Sequence, residues 1–191
     1  MMELVKLSHE VRYRGKVFDL EIDRIQYPSG NEGIREVARH PGGAVAVPLF
    51  PDGSVLLVRQ FRYPLQEHTL ELPAGKLNAG EDPAAAAVRE LEEETGWVAA
   101  RVHKLTAMLT TPGFCTEVLH IYLATGLSQS PHGHRREEGE AGMSVHRFPL
   151  EEALAMAERG ELTDSKTIVG LFLAERKLRR DAAERRSHEP Q

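Results

Sequence analysis

The stretch from Gly75 to Trp97, GKLNAGEDPAAAAVRELEEETGW, constrains this chain more than any other. Asp82 offers a capping carboxylate, Pro83 suits the first helical position and Gly96 suits a left-handed terminal residue, so a helix is predicted between them. On a 3.6-residue wheel Ala84, Ala87, Val88 and Leu91 form one narrow stripe, expected to face the core. Glu90 and Glu94 stack one turn apart beside that stripe, not opposite it; Glu93 lies next to them and Glu92 projects from the other side. Like charges at this spacing destabilise a helix by about 0.2–0.5 kcal/mol per pair, and partial burial raises the cost. A divalent cation reverses the sign of the interaction, and magnesium prefers hard oxygen ligands of this kind. Arg89 and Glu81 are further partners for the cluster. The small residues Ala74, Gly75 and Gly80 let backbone approach whatever the helix presents. On composition and spacing alone, an acidic run of this type reads first as a solvated face.

The remaining pattern is mostly strand. Residues 16–27 alternate apolar and acidic, the signature of a half-buried strand, and a turn at Pro28–Asn31 leads to a second strand near Arg35–His40. Pro41-Gly42-Gly43 breaks the chain, so a soft boundary falls there. Ala44–Phe50 and Ser54–Tyr63 are expected to pair as a hairpin about Pro51-Asp52-Gly53. Shorter strands are expected near Thr69–Leu72, Val102–Leu109, Val118–Ala124 and Met143–Phe148, with a long polar loop over 127–142. Leu150–Arg159 and Ser165–Arg179 read as helices, the second capped by Asp164 or Ser165. Strands with few helices between them predict a mixed α+β fold. The division expected is a strand region at 1–42, a main domain at 43–180 and a charged, frayed tail at 181–191.

Composition narrows the function classes. With 191 residues, 41% of them hydrophobic, the chain suits one compact domain with a small appendage. A net charge of -5 argues against a general nucleic-acid binder. Cys115 is the sole cysteine, which excludes an internal disulfide and a cysteine zinc site. No apolar run approaches the roughly 18 residues that span a membrane. The charges in MMELVKLSHE fall where a signal peptide needs an apolar stretch, so a cytoplasmic protein without a membrane partner is expected. No HExxH pair occurs among the histidines; His132 and His134 read as loop residues and Cys115 as a small packed one.

The Gly75–Trp97 stretch resembles the Nudix box. Gly75, Glu81, Arg89, Glu90, Leu91, Glu93, Glu94 and Gly96 fill every fixed position, and only Trp97 departs, where an aliphatic residue is more usual. The resemblance implies a mixed sheet between helices, with the box as a loop–helix–loop. It implies Mg²⁺, or Mn²⁺ as a substitute, held by Glu90 and Glu94, with Glu93 a third ligand and the carbonyl of Ala74 a fourth. Arg89 and Glu81 become structural partners. The reaction implied is attack of water on a phosphorus of a pyrophosphate, where metal ions neutralise the oxygens that repel a nucleophile.

The chain further resembles the ADP-ribose pyrophosphatase branch of that family. The carrying residues are Arg59-Gln60-Phe61-Arg62-Tyr63, Glu71-Leu72-Pro73-Ala74-Gly75-Lys76, Pro112 through Glu117, and Asp164-Ser165-Lys166-Thr167. That branch implies hydrolysis of ADP-ribose to AMP and ribose 5-phosphate by a homodimer whose N-terminal strands pack across the interface. Arg35, Arg59, Arg62 and Pro112 become candidate substrate contacts, since guanidinium suits phosphate. The base falls in the loop before the last strand, at Glu137, Glu138 or Glu140; alignment to Met143–Pro149 favours Glu140, with Glu93 and Glu94 beside it as catalytic candidates. Hydrolysis of a sugar nucleotide, NADH or a dinucleoside polyphosphate is the alternative within the family. A nucleotide-binding regulator without turnover is the alternative outside catalysis.

Overall fold

A computed structural model describes residues 3–136, 138 and 142–187. The strands are β1 (Val5–Arg14), β2 (Asp19–Gln26), β3 (Glu32–Arg39), β4 (Gly43–Pro48), β5 (Ser54–Arg62), β6 (Glu67–Glu71), β7 (Ala74–Lys76), β8 (Trp97–Leu109), β9 (Val118–Gln129) and β10 (Ser144–Pro149). The helices are α1 (Pro83–Thr95), α2 (Leu150–Glu158) and α3 (Ser165–Ser187). They form three sheets, ordered β1-β2-β3, β7-β4-β9-β8 and β10-β5-β6. Among the described residues only the β4–β9 ladder is parallel; the other ladders are antiparallel. The architecture is the mixed α+β arrangement expected.

The four-stranded sheet is covered on both faces, as its apolar sequence requires. Val45, Val47, Ile121 and Leu123 pack with β5, α2 and α3 in the larger core. Ala44, Ala46, Tyr122 and Ala124 pack against Ala86, Ala87 and Leu91 of α1 in the smaller one. Alanines on both sides of that second interface bring α1 close to the sheet.

The caps of α1 are the ones its sequence specifies. The Asp82 carboxylate accepts from the Ala85 amide at 3.1 Å, and Gly96 is left-handed at φ 74°. The buried face is rotated from the expected stripe: Ala86 is fully buried, whereas Ala84 and Val88 are half-buried. The rotation takes Glu90 and Glu94 further inward than the wheel implied.

Three other expectations change. β4 and β5 do not form a hairpin ladder; they share one bridge, Leu49 to Val55, and then enter different sheets. β4 and the first half of β5, Ser54–Val58, are runs buried on two faces, which a half-exposed hairpin does not bury. β1 was not anticipated, although Val5, Leu7, His9, Val11 and Tyr13 alternate with polar residues. It lies at a sheet edge, largely exposed. The tail does not fray from residue 181: α3 continues to Ser187, helped by i,i+4 ion pairs Glu175–Arg179 and Lys177–Asp181.

The N-terminal sheet is tied to the rest by backbone bonds. Ala38 N donates to Phe114 O at 2.8 Å and Thr116 N to Ala38 O at 3.0 Å.

Candidate active site

β7 is only three residues long, Ala74-Gly75-Lys76, and it runs beneath the inner edge of α1. The Ala74 amide donates to Glu94 Oε2 at 3.2 Å. One residue on, the Glu90 carboxylate lies over Gly75, where a Cβ would stand 2.1 Å from Oε1. Glu90 is 9% exposed and Glu94 2%. Gly75 is therefore a steric requirement of Glu90, not of a backbone turn.

Arg89 holds this edge together. Its guanidinium reaches Glu81 at 2.8 and 3.0 Å, Glu90 at 2.7 Å, Glu93 at 2.9 Å and the Lys76 carbonyl at 3.2 Å. The Arg89 hydrogen bond, with a second from the Asn78 amide, draws the Glu81 carboxyl down to about 2. Among the described residues no group of three or more His, Cys, Asp or Glu side chains is gathered for an ion; Glu90 and Glu93 both pair with Arg89. The donors themselves fit a hard divalent cation: all are oxygens, two are buried carboxylates one helical turn apart, and a small-residue strand lies against them. Glu92 points away and accepts from Ser130 Oγ at 2.6 Å, as its place on the wheel implied.

A cleft of about 470 Å³ opens beside β7. Ala74, Gly75 and Lys76 form one wall, Arg62 another, and the start of α3 at Ser165 and Lys166 a third; His40 and Glu117 also line it. Arg62 is fixed by Glu71, which accepts from its Nε at 2.6 Å and its Nη2 at 2.5 Å. Lys166 Nζ donates to the same carboxylate and to Asp164 at 3.0 Å. Thr69 adds a hydroxyl donor at 2.6 Å. Burial alone raises the Glu71 carboxyl, but the Arg62 hydrogen bond and the Lys166 charge outweigh it and hold the group down to about 2. Asp164 caps α3 by accepting from the Thr167 amide at 3.0 Å, and Thr167 Oγ1 in turn accepts from Leu72 N at 2.7 Å. The Asp164-Ser165-Lys166-Thr167 run thus braces the segment leading into β7. Sequence reasoning noted this run but assigned no role to Lys166 or Glu71. Their polar character just outside apolar runs was the available signal.

The structure gathers some sequence candidates and separates others. Arg62 and Ala74 share the cleft, with Glu90 and Glu94 against β7. Arg35 is on the N-terminal sheet, bonded to Tyr27 Oη at 2.8 Å, and borders a separate hollow with Phe18 and Phe114. Pro112 begins the turn in which Phe114 and Cys115 amides donate to Thr111 O. Arg59 is exposed on β5 opposite Ser144. Neither Arg59 nor Pro112 lines the cleft. Glu137 and Glu140 lie outside the described residues; Glu138 is exposed. Trp97 packs edge-on to Phe50 at 4.8 Å, a packing role as its place in the box implied.

The loop before β10 is anchored to α1. Ser130 N donates to Gly96 O at 2.8 Å and Arg135 N to Glu93 O at 2.9 Å. Arg136 donates to the Glu94 carbonyl through Nε at 3.0 Å and Nη2 at 2.8 Å, and its Nη1 reaches Met143 O. It satisfies a carbonyl left open at the helix end and joins both sides of the loop.

A helix that lays two buried glutamates along an Ala-Gly-Lys strand, within a sheet covered on both faces, defines a class in which a loop–helix–loop carries the chemistry. The NUDIX domain matches residues 40–169, and the chain belongs to the Nudix family. It is 39% identical to "ADP-ribose pyrophosphatase" of Bacillus subtilis, over 87% of this chain and 89% of that protein. It is 35% identical to "Methanol dehydrogenase activator" of Bacillus methanolicus, over 90% of this chain and 92% of that one. A solved structure titled "Crystal structure of ADP compounds hydrolase" superposes with a TM-score of 0.82 at 21% identity, covering 94% of this chain and 96% of its own, which shows the shared fold. The family and its relatives make the chain a Nudix pyrophosphatase.

Proposed function

We propose that this enzyme hydrolyses ADP-ribose to AMP and ribose 5-phosphate, with Mg²⁺ as its ion and Mn²⁺ as a substitute. The observation that carries the reading is the pair Glu90 and Glu94, buried against Ala74-Gly75 beside a cleft that also holds Arg62. Glu90, Glu93, Glu94 and the Ala74 carbonyl would hold the cation, whose chemistry when bound is to neutralise the diphosphate oxygens and assist water. Arg62 contacts a phosphate or the ribose, pre-oriented by Glu71. Glu140 takes the proton from the attacking water, a role that rests on the resemblance of its loop to the ADP-ribose pyrophosphatase branch. The described start of its loop is anchored to the C-terminal end of α1.

Homodimerisation through the N-terminal strands belongs to the same proposal. Among the described residues, seven of the thirteen exposed large apolar side chains lie between Leu4 and Ile34. An apolar surface on so small a sheet calls for a partner, and a second copy would bring Arg35 to its neighbour's cleft. A cytoplasmic location fits a chain with one cysteine. Among the described residues no helix is long and apolar enough to cross a membrane.

One relative is named for activating a dehydrogenase. The complete set of box glutamates favours turnover over a purely regulatory role here. The test is a panel of ADP-ribose, sugar nucleotides, NADH and dinucleoside polyphosphates, with Mg²⁺ and with product identification. ADP-ribose should lead in kcat/KM and yield AMP. A different leading substrate would move the enzyme to another branch, and no turnover on any would remove the reading.

A further inference from the structure

The middle of α3 and the centre of β8 enclose a second concavity, about 450 Å³, that shares no residue with the cleft beside β7. Leu105 and Leu173, both half-buried, give it an apolar floor. Leu105 is the extra residue of a β-bulge between Lys104 and Thr106, a device that bends a strand and re-aims its side chains. Lys104 on β8 faces Arg176, Lys177, Arg179 and Arg180 on α3 across this floor, and no carboxylate lines the groove.

The charges divide into two groups. Lys177 is paired with Asp181 at 2.8 Å, and Arg179 with Glu175. Lys104, Arg176 and Arg180 have no ion-pair partner among the described residues, and all three are exposed. Three cations outside any ion pair border this hollow in a chain of net charge -5, with Asp181 near enough to Arg180 to feel its charge. Like charges held together in this way repel, and an anion between them reverses that cost. The field of Lys104 reaches His120 of β9, whose imidazole is depressed first by burial and then by that charge.

We propose that this groove is a binding site for a small phosphate-rich anion, an oligophosphate carried either as inorganic tripolyphosphate or as a nucleoside triphosphate. Three cations offset most of the charge of a triphosphate, and guanidinium pairs with phosphate oxygens in a bidentate way. The volume holds one such group. An extended polyanion is disfavoured, because its further charges would run over an acidic protein.

The site is tested on the full chain by calorimetry in EDTA, with sodium tripolyphosphate, ATP and a twelve-nucleotide single strand as separate ligands. The comparison is the triple variant Lys104→Gln, Arg176→Gln, Arg180→Gln. Wild type should bind one tripolyphosphate per chain, and the variant should lose about tenfold or more in affinity. The variant's melting temperature and ADP-ribose turnover should stay unchanged. Equal affinity for ATP and tripolyphosphate assigns the site to phosphate alone; tighter ATP places the nucleoside on the leucine floor. Either supports the proposal. It is overturned if no saturable binding occurs, if the variant binds as wild type does, or if the oligonucleotide binds more tightly than either small anion. None of these outcomes depends on which substrate the cleft hydrolyses.

Discussion

Glu90 occupies the space that any side chain on Gly75 would need. Alanine there would set a carbon 2.1 Å from Glu90 Oε1, with the rest of the carboxylate at 2.2 and 2.4 Å. Glu90 must then swing off the strand, while the backbone of Gly75 needs no unusual dihedral. Gly75→Ala should lower kcat for ADP-ribose by about 10²-fold, the scale of a displaced catalytic group. The melting temperature should change little. Steady-state kinetics beside a thermal melt checks this, and near-normal kcat would mean Glu90 need not stand where it does.

Glu90→Gln and Glu94→Gln each keep the side-chain volume and remove a charge. Both variants should stay folded and lose turnover by about 10²-fold or more, since even indirect partners of a metal ligand cost 10–100-fold when lost. Calorimetric titration with Mg²⁺ should show weakened binding in both. In the wild type, EDTA should abolish hydrolysis and Mg²⁺ restore it.

The buried Glu71 makes stability depend on acid. Its folded carboxyl titrates at about 2 against an ordinary 4.5, so its contribution is complete above pH 4.5 and is lost as pH falls toward 2. Glu71→Gln should flatten that part of the stability profile. It also leaves Lys166, which is 8% exposed, with Asp164 as its remaining carboxylate partner beside Arg62. The cost should fall below the about 3–5 kcal/mol of a fully uncompensated buried charge, readable by urea unfolding at pH 7.

Ile34 on β3 is 63% exposed beside Phe18 and Phe114. If the N-terminal sheet meets a second copy, Ile34→Glu should turn a dimer into a monomer in sedimentation velocity while leaving the melt within about 0.5 kcal/mol. Deleting residues 1–40 should do the same and weaken substrate binding. A fully active monodisperse monomer would end the dimer proposal.

Arg136 reaches both the end of α1 and Met143. Arg136→Ala should lower kcat by about tenfold, with a smaller change in KM, because the loop carrying the candidate base loses its anchor. Arg136→Lys, which lacks the planar fork, should rescue little of the loss.

Much of the site was legible because its signals are local. Asp82, Pro83 and Gly96 mark the ends of α1 within one turn of the residues they cap, and the i,i+4 spacing alone aligns Glu90 with Glu94. The same locality makes the Nudix box readable, and with it the family. Other features depend on which distant segments meet. Glu71 and Lys166 lie 95 positions apart, and nothing near either residue names the other. β4 and β5 read as a hairpin because a turn joins them, yet their partners, β7 and β9 for one and β6 and β10 for the other, lie in different sheets. Arg35, Arg59 and Arg62 were equivalent as guanidinium groups in a string, and only the meeting of the end of β5 with the start of α3 set Arg62 at the cleft. Periodicity and capping are determined by neighbours along the chain; the pairing of buried charges is determined by topology, and that was decided in three dimensions.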